Sequence, residues 1–265
     1  MELENKTIVV TGGGSGVGRA MVERFAAERP HGIAVVDRNG AAARAVVDRV
    51  GGLAIAADLC REAEVVRVIG SVQAQFGPID LFCSNAGIVS PVGGLDVPDD
   101  DWHRHWNIHV MAHLWAARAL VPAMVERRDG YLLNTASAAG LLMLPGAVPY
   151  TVSKHAAVAL AESLAVLYRG TGVRFSCLCP EVVETPLVSG VDRDPVGRFL
   201  RTTGRVLAPA DVAETVVEGL RDERFLILTH PGSREKAVLR ANDADAYLDA
   251  VAGLWAAAGG TAIGR

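Results

Sequence analysis

Aromatic residues make up only 5% of this 265-residue chain, cysteines number four, and neither sign of charge dominates. So few aromatics leave little material for a base-stacking platform. Lys and Arg total 26 against 30 Asp and Glu, a net charge of −4, so no basic field stands ready to neutralise phosphates. No nucleic-acid partner is expected. Cys60, Cys83, Cys177 and Cys179 contain no C-x-x-C pair. They read as small buried residues of a reducing compartment. The opening MELENKTIVV carries two acids and no basic, then apolar, leader pattern. The longest uncharged stretch, 130–153, is interrupted by Asn134, Pro145 and Pro149, which argues against a membrane span. A cytoplasmic location is the expectation.

What is present is apolar and small. Half the residues are hydrophobic and 28 are glycine. A chain this long buries roughly 73% of its unfolded surface on folding, enough for one domain without disulfide or metal. Short, nearly continuous apolar runs recur at 7–11, 33–37, 53–57, 80–84, 131–136, 173–179 and 225–229. Runs of that length without alternation suit strands covered on both faces. Between them the period turns helical, as at 16–29, at 99–127 behind Asp99-Asp100-Asp101, and from Pro149 to Arg169 before Gly170. Strand–helix–strand repetition predicts a single α/β domain over 1–265, a doubly wound parallel sheet with helices on both faces.

The first strand runs into TGGGSGVGRA (11–20), a glycine-rich turn that opens a helix. Glycines permit the sharp turn and the close approach of backbone to phosphate, while the helix offers free N–H groups to a pyrophosphate. The spacing from Gly12 is G-x-x-x-G-x-G rather than G-x-G-x-x-G, so position, more than pattern, carries the Rossmann-type dinucleotide reading. Asp37 closes the second strand 19 residues after Gly18, where a carboxylate meets an adenosine ribose and repels a 2′-phosphate. NAD is therefore preferred over NADP. Arg38 beside it partly offsets that repulsion, and a solvated strand-end acid is the plain alternative for Asp37.

Tyr150 and Lys154 sit four apart on a helical segment and so share a face. A nearby ammonium favours the phenolate and is expected to lower the tyrosine pKa. Ser137 follows the strand at 131–136, at the carboxyl end where parallel sheets bind ligands. Together, TGGGSGVG (11–18), SNAG (84–87), Ser137 with YTVSK (150–154), and PEVVET (180–185) resemble the short-chain dehydrogenase/reductase family over about residues 4–230.

That resemblance implies a role for each matching residue. Tyr150 would be the general acid/base and Lys154 would hold the nicotinamide ribose. Ser137 would polarise the substrate oxygen, and Asn107 would complete a proton relay. Gly12, Ser15, Gly16, Val17 and Gly18 would cradle the pyrophosphate, with Asp37 and Arg38 at the ribose. Asp58 and Leu59 would bracket adenine, with Asn85, Ala86 and Gly87 along the adenosine side. Pro180, Val183 and Thr185 would lie at the nicotinamide carboxamide. One departure stands out: Cys179-Pro180-Glu181 replaces the family's usual Asn-Pro-Gly, which places bulk and charge beside the expected nicotinamide.

His105, His109 and His113 recur at four-residue intervals, a spacing that can bind a metal. No carboxylate or cysteine shares their stripe, so no metal is expected. The resemblance instead implies a helix face turned toward a partner subunit in a homodimer or homotetramer. Residues 186–207 read as a substrate loop lined by Val188, Val191, Val196, Phe199 and Leu200, with Arg193, Arg198 and Arg201 interspersed. Residues 233–256 read as one packing helix. The expected protein moves hydride between NAD and a small-molecule secondary alcohol or ketone, the substrate being hydrophobic, cyclic or aryl. The alternatives are an NADPH-dependent ketoreductase of the same family and a catalytically silent cofactor sensor.

Overall fold

The apolar runs become strands, and the inner ones are covered on both sides. A computed structural model describes residues 1–186 and 194–261. The first half of the chain alternates β1 (Thr7–Thr11), α1 (Gly16–Ala26), β2 (Gly32–Asp37), α2 (Gly40–Val50), β3 (Leu53–Ala56), α3 (Glu62–Phe76) and β4 (Leu81–Ser84). There follow α4 (Asp99–Trp106), a π-helical turn (Asn107–Met111), α5 (Ala112–Glu126), β5 (Gly130–Thr135), α6 (Val148–Leu167) and β6 (Val173–Cys179). The chain continues through α7 (Pro195–Thr203), α8 (Pro209–Arg221), β7 (Leu226–Leu228), α9 (Ser233–Asn242) and α10 (Ala244–Ala257). The strands form one parallel sheet in the order β3-β2-β1-β4-β5-β6-β7.

Successive residues of a strand face opposite sides, and both sides here are apolar. Ile8, Val10, Val35, Leu133 and Leu178 pack with Phe25 of α1 and Val212 and Val216 of α8. Val9, Ala34, Phe82, Leu132 and Phe175 face the other layer, with Val68 of α3 and Ala116 and Leu120 of α5. The helix starts use local chemistry. Asn39 caps α2 by accepting from the Ala42 amide, and Asp194 caps α7 by accepting from Gly197.

Two expectations need correction. The segment 233–256 is two helices, because Asp243 takes an extended backbone (φ −146, ψ 88) and its side chain accepts from the Ala246 amide, starting α10 afresh. The histidine stripe faces no partner: His105, His109 and His113 are 0%, 0% and 1% exposed, turned into their own subunit. Of the expected substrate loop, Val188, Val191 and Arg193 lie outside the described residues. By length and hydropathy the composite helix 99–126 could cross a membrane, yet here it packs its apolar side on the sheet.

Phe25 has no exposed surface and sits at the centre of the α1–α8 layer. Phe25→Ala is expected to cost about 3–5 kcal/mol of unfolding free energy, read as a lower urea midpoint with unchanged slope.

Candidate active site

The chain lays β2 and β3 on one side of β1, then returns to lay β4 on the other. Loops leaving the carboxyl ends of β1 and β4 therefore diverge, and a crevice opens between them. Thr11 holds the two turns in register. Its hydroxyl accepts from the Asn85 and Ala86 amides at 2.8 and 3.0 Å and donates to the Cys83 carbonyl. The Asn85 amide group in turn donates to the Thr11 carbonyl at 3.0 Å.

The crevice is one end of a cavity of about 1440 Å³, larger than the ~300–1,000 Å³ of a site for one small ligand. The β1 turn contributes Gly12, Ser15, Gly16, Val17 and Gly18 to its wall, and the ends of β2 and β3 contribute Asp37, Arg38, Asp58 and Leu59. Asn85, Ala86 and Gly87 follow β4, and Ser137 follows β5. Tyr150 and Lys154 come from α6, while Pro180, Val183 and Thr185 follow β6.

The cradle's dimensions fit a dinucleotide. A Cβ on Gly18 would stand 2.2 Å from the Gly12 carbonyl oxygen, and one on Gly12 (φ +64) would stand 2.9 Å from the Ala86 Cα. Only glycines allow this closeness. Ser15 begins α1 without capping it through its side chain, so the first-turn N–H groups keep no side-chain acceptor. Asp37 is fixed by two backbone amides, Gly14 to Oδ2 at 3.0 Å and Asn39 to Oδ1 at 2.9 Å.

At the other end the polar groups converge. The Ser137 hydroxyl accepts from the Ala139 amide at 3.1 Å and donates to the Pro180 carbonyl at 3.4 Å. The Lys154 ammonium donates to the Thr135 carbonyl at 3.0 Å and lies 5.7 Å from the Tyr150 ring centre. Asn107 is not brought to this wall. It is half-buried at the start of the π-helical turn and does not line the cavity.

His109 takes the inward position, which sequence reasoning missed. The Ile88 amide donates to its Nε2 at 3.1 Å, so Nε2 carries no proton and Nδ1 does. Nδ1 then donates to Ser153 Oγ at 2.9 Å, and that hydroxyl donates to the Tyr150 carbonyl at 3.0 Å. The imidazole packs edge-on against the Tyr150 ring, with centroids 5.5 Å apart. One neutral histidine thus braces the β4 loop against the tyrosine helix. The signal was legible only as an unexplained apolar-face histidine, because the π turn sets which side chains reach the cavity.

Burial governs the ionisation of this end. It lowers His109 well below the usual imidazole range, with Lys154 adding repulsion, and pushes His113 down to about 3. Tyr150 is raised, against the expected lowering, because burial outweighs the Ser137 hydrogen bond that pulls the other way. Burial also draws Lys154 from 10.5 down to about 8. Below pH 8 the folded protein bears the full cost of this buried ammonium. As pH rises toward 10.5 the unfolded chain still binds a proton that the folded one has released, and the cost fades. The stability of wild type relative to Lys154→Met is therefore expected to improve by about 2 kcal/mol between pH 7 and pH 10, measured by denaturant unfolding.

The cavity continues past Tyr150 into an apolar end lined by Val89, Leu142, Leu144, Phe199, Val251 and Leu254. Phe199 and Leu200 were expected there; Val196 instead lies in the core behind Phe199. The α10 stripe was legible as a packing face, but its opening toward a cavity depended on where the helix docks.

A family model described as short chain dehydrogenase matches residues 6–195. The 1-deoxy-11-beta-hydroxypentalenate dehydrogenase of Streptomyces exfoliatus is 36% identical over 88% of this chain and 86% of its own. The 2,5-dichloro-2,5-cyclohexadiene-1,4-diol dehydrogenase of Sphingobium indicum is 35% identical over 83% of this chain and 92% of its own. A short chain dehydrogenase/reductase from Burkholderia phymatum, solved in complex with NAD, superposes with a TM-score of 0.84 at 29% identity, covering 93% of this chain and 96% of that one. With its cradle at the switch point and Ser137, Tyr150 and Lys154 on one wall, the chain belongs to the short-chain dehydrogenase family.

Proposed function

We propose that this protein is an NAD-dependent dehydrogenase for a secondary alcohol carried on a bulky, apolar, cyclic body. One observation carries the reading: Ser137, Tyr150 and Lys154 stand where the dinucleotide cradle meets the apolar end of the same cavity. When bound, NAD supplies the hydride acceptor for the alcohol carbon. The protein does the rest. Ser137 orients the alcohol oxygen, and Tyr150 takes its proton in the ionised form that burial makes scarce at neutral pH. Lys154, anchored on the Thr135 carbonyl, holds the nicotinamide ribose and balances the phenolate. Val183 and Thr185 hold the carboxamide, and the apolar end excludes water. The cyclohexadiene-diol relative acts, by its name, on a ring alcohol, which supports the same class here.

The cofactor preference rests on Asp37, whose carboxylate is held in place by two amides and sets a fixed negative charge where a 2′-phosphate would lie. Assembly as a homodimer or homotetramer is supported by the exposed apolar residues Trp106, Val152, Val166 and Leu167 on α4 and α6. Four free thiols suit a reducing, cytoplasmic compartment.

Tyr150→Phe is expected to lower alcohol oxidation by about 10²–10⁴-fold while NAD still binds, followed as reduced-cofactor absorbance and as fluorescence quenching. A wild type that binds NAD but oxidises no alcohol or diol in a panel of cyclic, bicyclic and aryl substrates would favour the cofactor-sensor reading instead. Asp37→Ala is expected to improve kcat/KM for NADP about tenfold or more, worth about 1.4 kcal/mol. Equal use of NADP by the wild type would remove Asp37 from that role.

A further inference from the structure

Glu181 stands where charge was least expected, and its carboxylate is nearly sealed from solvent at 6% exposure. It is fully engaged. Ser233 Oγ donates to Oε1 at 2.6 Å, and the Lys236 ammonium reaches Oε1 at 3.1 Å and Oε2 at 3.0 Å. Ser233 is itself completely buried. Both partners belong to the first turn of α9, so the end of β6 is tied to the C-terminal helices.

Two walls of the apolar end converge on this carboxylate. The first is the α9–α10 pair, which supplies Leu239, Tyr247, Val251 and Leu254 to the cavity. The second is α7, which supplies Phe199 and Leu200 and ends at Gly204, where a Cβ would stand 3.2 Å from Glu181 Oε2. Elsewhere α10 is attached by the Met143 amide donating to the Tyr247 hydroxyl at 2.8 Å, and α7 by Arg198 donating to the Ala258 carbonyl. On the other side Glu181 follows Pro180, whose carbonyl accepts from the Ala138 amide at 2.8 Å and from the Ser137 hydroxyl. The same short segment therefore positions Ser137, anchors the α9–α10 wall and abuts the end of α7.

We propose that Glu181 is a specificity-determining residue: by clamping α9 through Ser233 and Lys236, it fixes the apolar walls at the separation that fits a rigid bicyclic secondary alcohol. The physical reason is that the pair is sealed on its Glu181 side. Formed, it holds one geometry; with Lys236 removed, the sealed Glu181 carboxylate keeps only the Ser233 hydroxyl and the helices move to hydrate it. A small alcohol touches Ser137 and Tyr150 but little of these walls, so the clamp acts on bulky substrates selectively. This inference rests on the dehydrogenase reading above.

The test compares wild type, Glu181→Gln, Lys236→Met and the double variant. Each is assayed with NAD on decahydro-2-naphthol and on 2-butanol, alongside NAD affinity and hydrogen exchange of the 233–242 amides. Each single variant is expected to lower the ratio of kcat/KM for the bicyclic alcohol over 2-butanol by about tenfold or more and to speed exchange in α9. The double variant is expected to be no worse than the singles, because both remove one contact. A ratio within twofold of wild type, with exchange unchanged, overturns the proposal. So does weakened NAD binding with equal loss on both alcohols, which would place Glu181 in the cofactor cradle. If the wild type oxidises neither alcohol, the dehydrogenase reading fails, and exchange in α9 alone decides whether the clamp exists.

Discussion

The inner strands of the sheet are covered by helices on both faces, and the rest of the molecule follows from that constraint. A parallel sheet buried in this way has no wet face on which to place chemistry. Polar function is pushed to the loops at the carboxyl ends of the strands, and the reversal of strand order between β1 and β4 opens a space there. Thr11 is the point at which this constraint becomes local. Its single hydroxyl satisfies two amides and a carbonyl on β4 and its turn, so the crevice has a fixed width.

The reacting end of the cavity is built by putting ionisable groups where ionisation is costly. Lys154 is 3% exposed, and Tyr150 and His109 are buried with it. Such groups need partners, and each has one: Thr135 for the ammonium, Ser137 for the phenol, and Ile88 and Ser153 for the imidazole. The partners come from β5, from the loops after β4 and β5, and from α6, so satisfying the buried groups also locks the surrounding elements to one another. Positioning for catalysis and stability of the site are here one set of hydrogen bonds.

Much of this was legible in the chain. The runs TIVVT and VRFSCLC matched β1 and β6 to the residue, because a strand buried on both faces leaves an unbroken apolar signature. The glycine turn, Asp37, Ser137 and the Tyr150–Lys154 pair were legible because local geometry demands those residue types at those places. The π turn at 107–111, where His109 and not Asn107 lines the cavity, is invisible in periodicity. The Tyr150 pKa was misread for a reason of depth, since a lysine four residues away can be counted in a sequence whereas burial cannot.

What the sequence determined by itself, then, was the architecture and the chemistry available: a doubly wound sheet, a phosphate-sized turn, and a Ser–Tyr–Lys set at a carboxyl edge. These rest on short-range rules, spacing and backbone freedom, that act within a few residues. Tertiary structure alone decided that His109 lines the site, that burial sets the tyrosine's ionisation, and that Glu181 meets Ser233 and Lys236, more than fifty residues later. Those outcomes depend on how helices dock and how much water they exclude, quantities that exist only once distant segments of the chain are packed together.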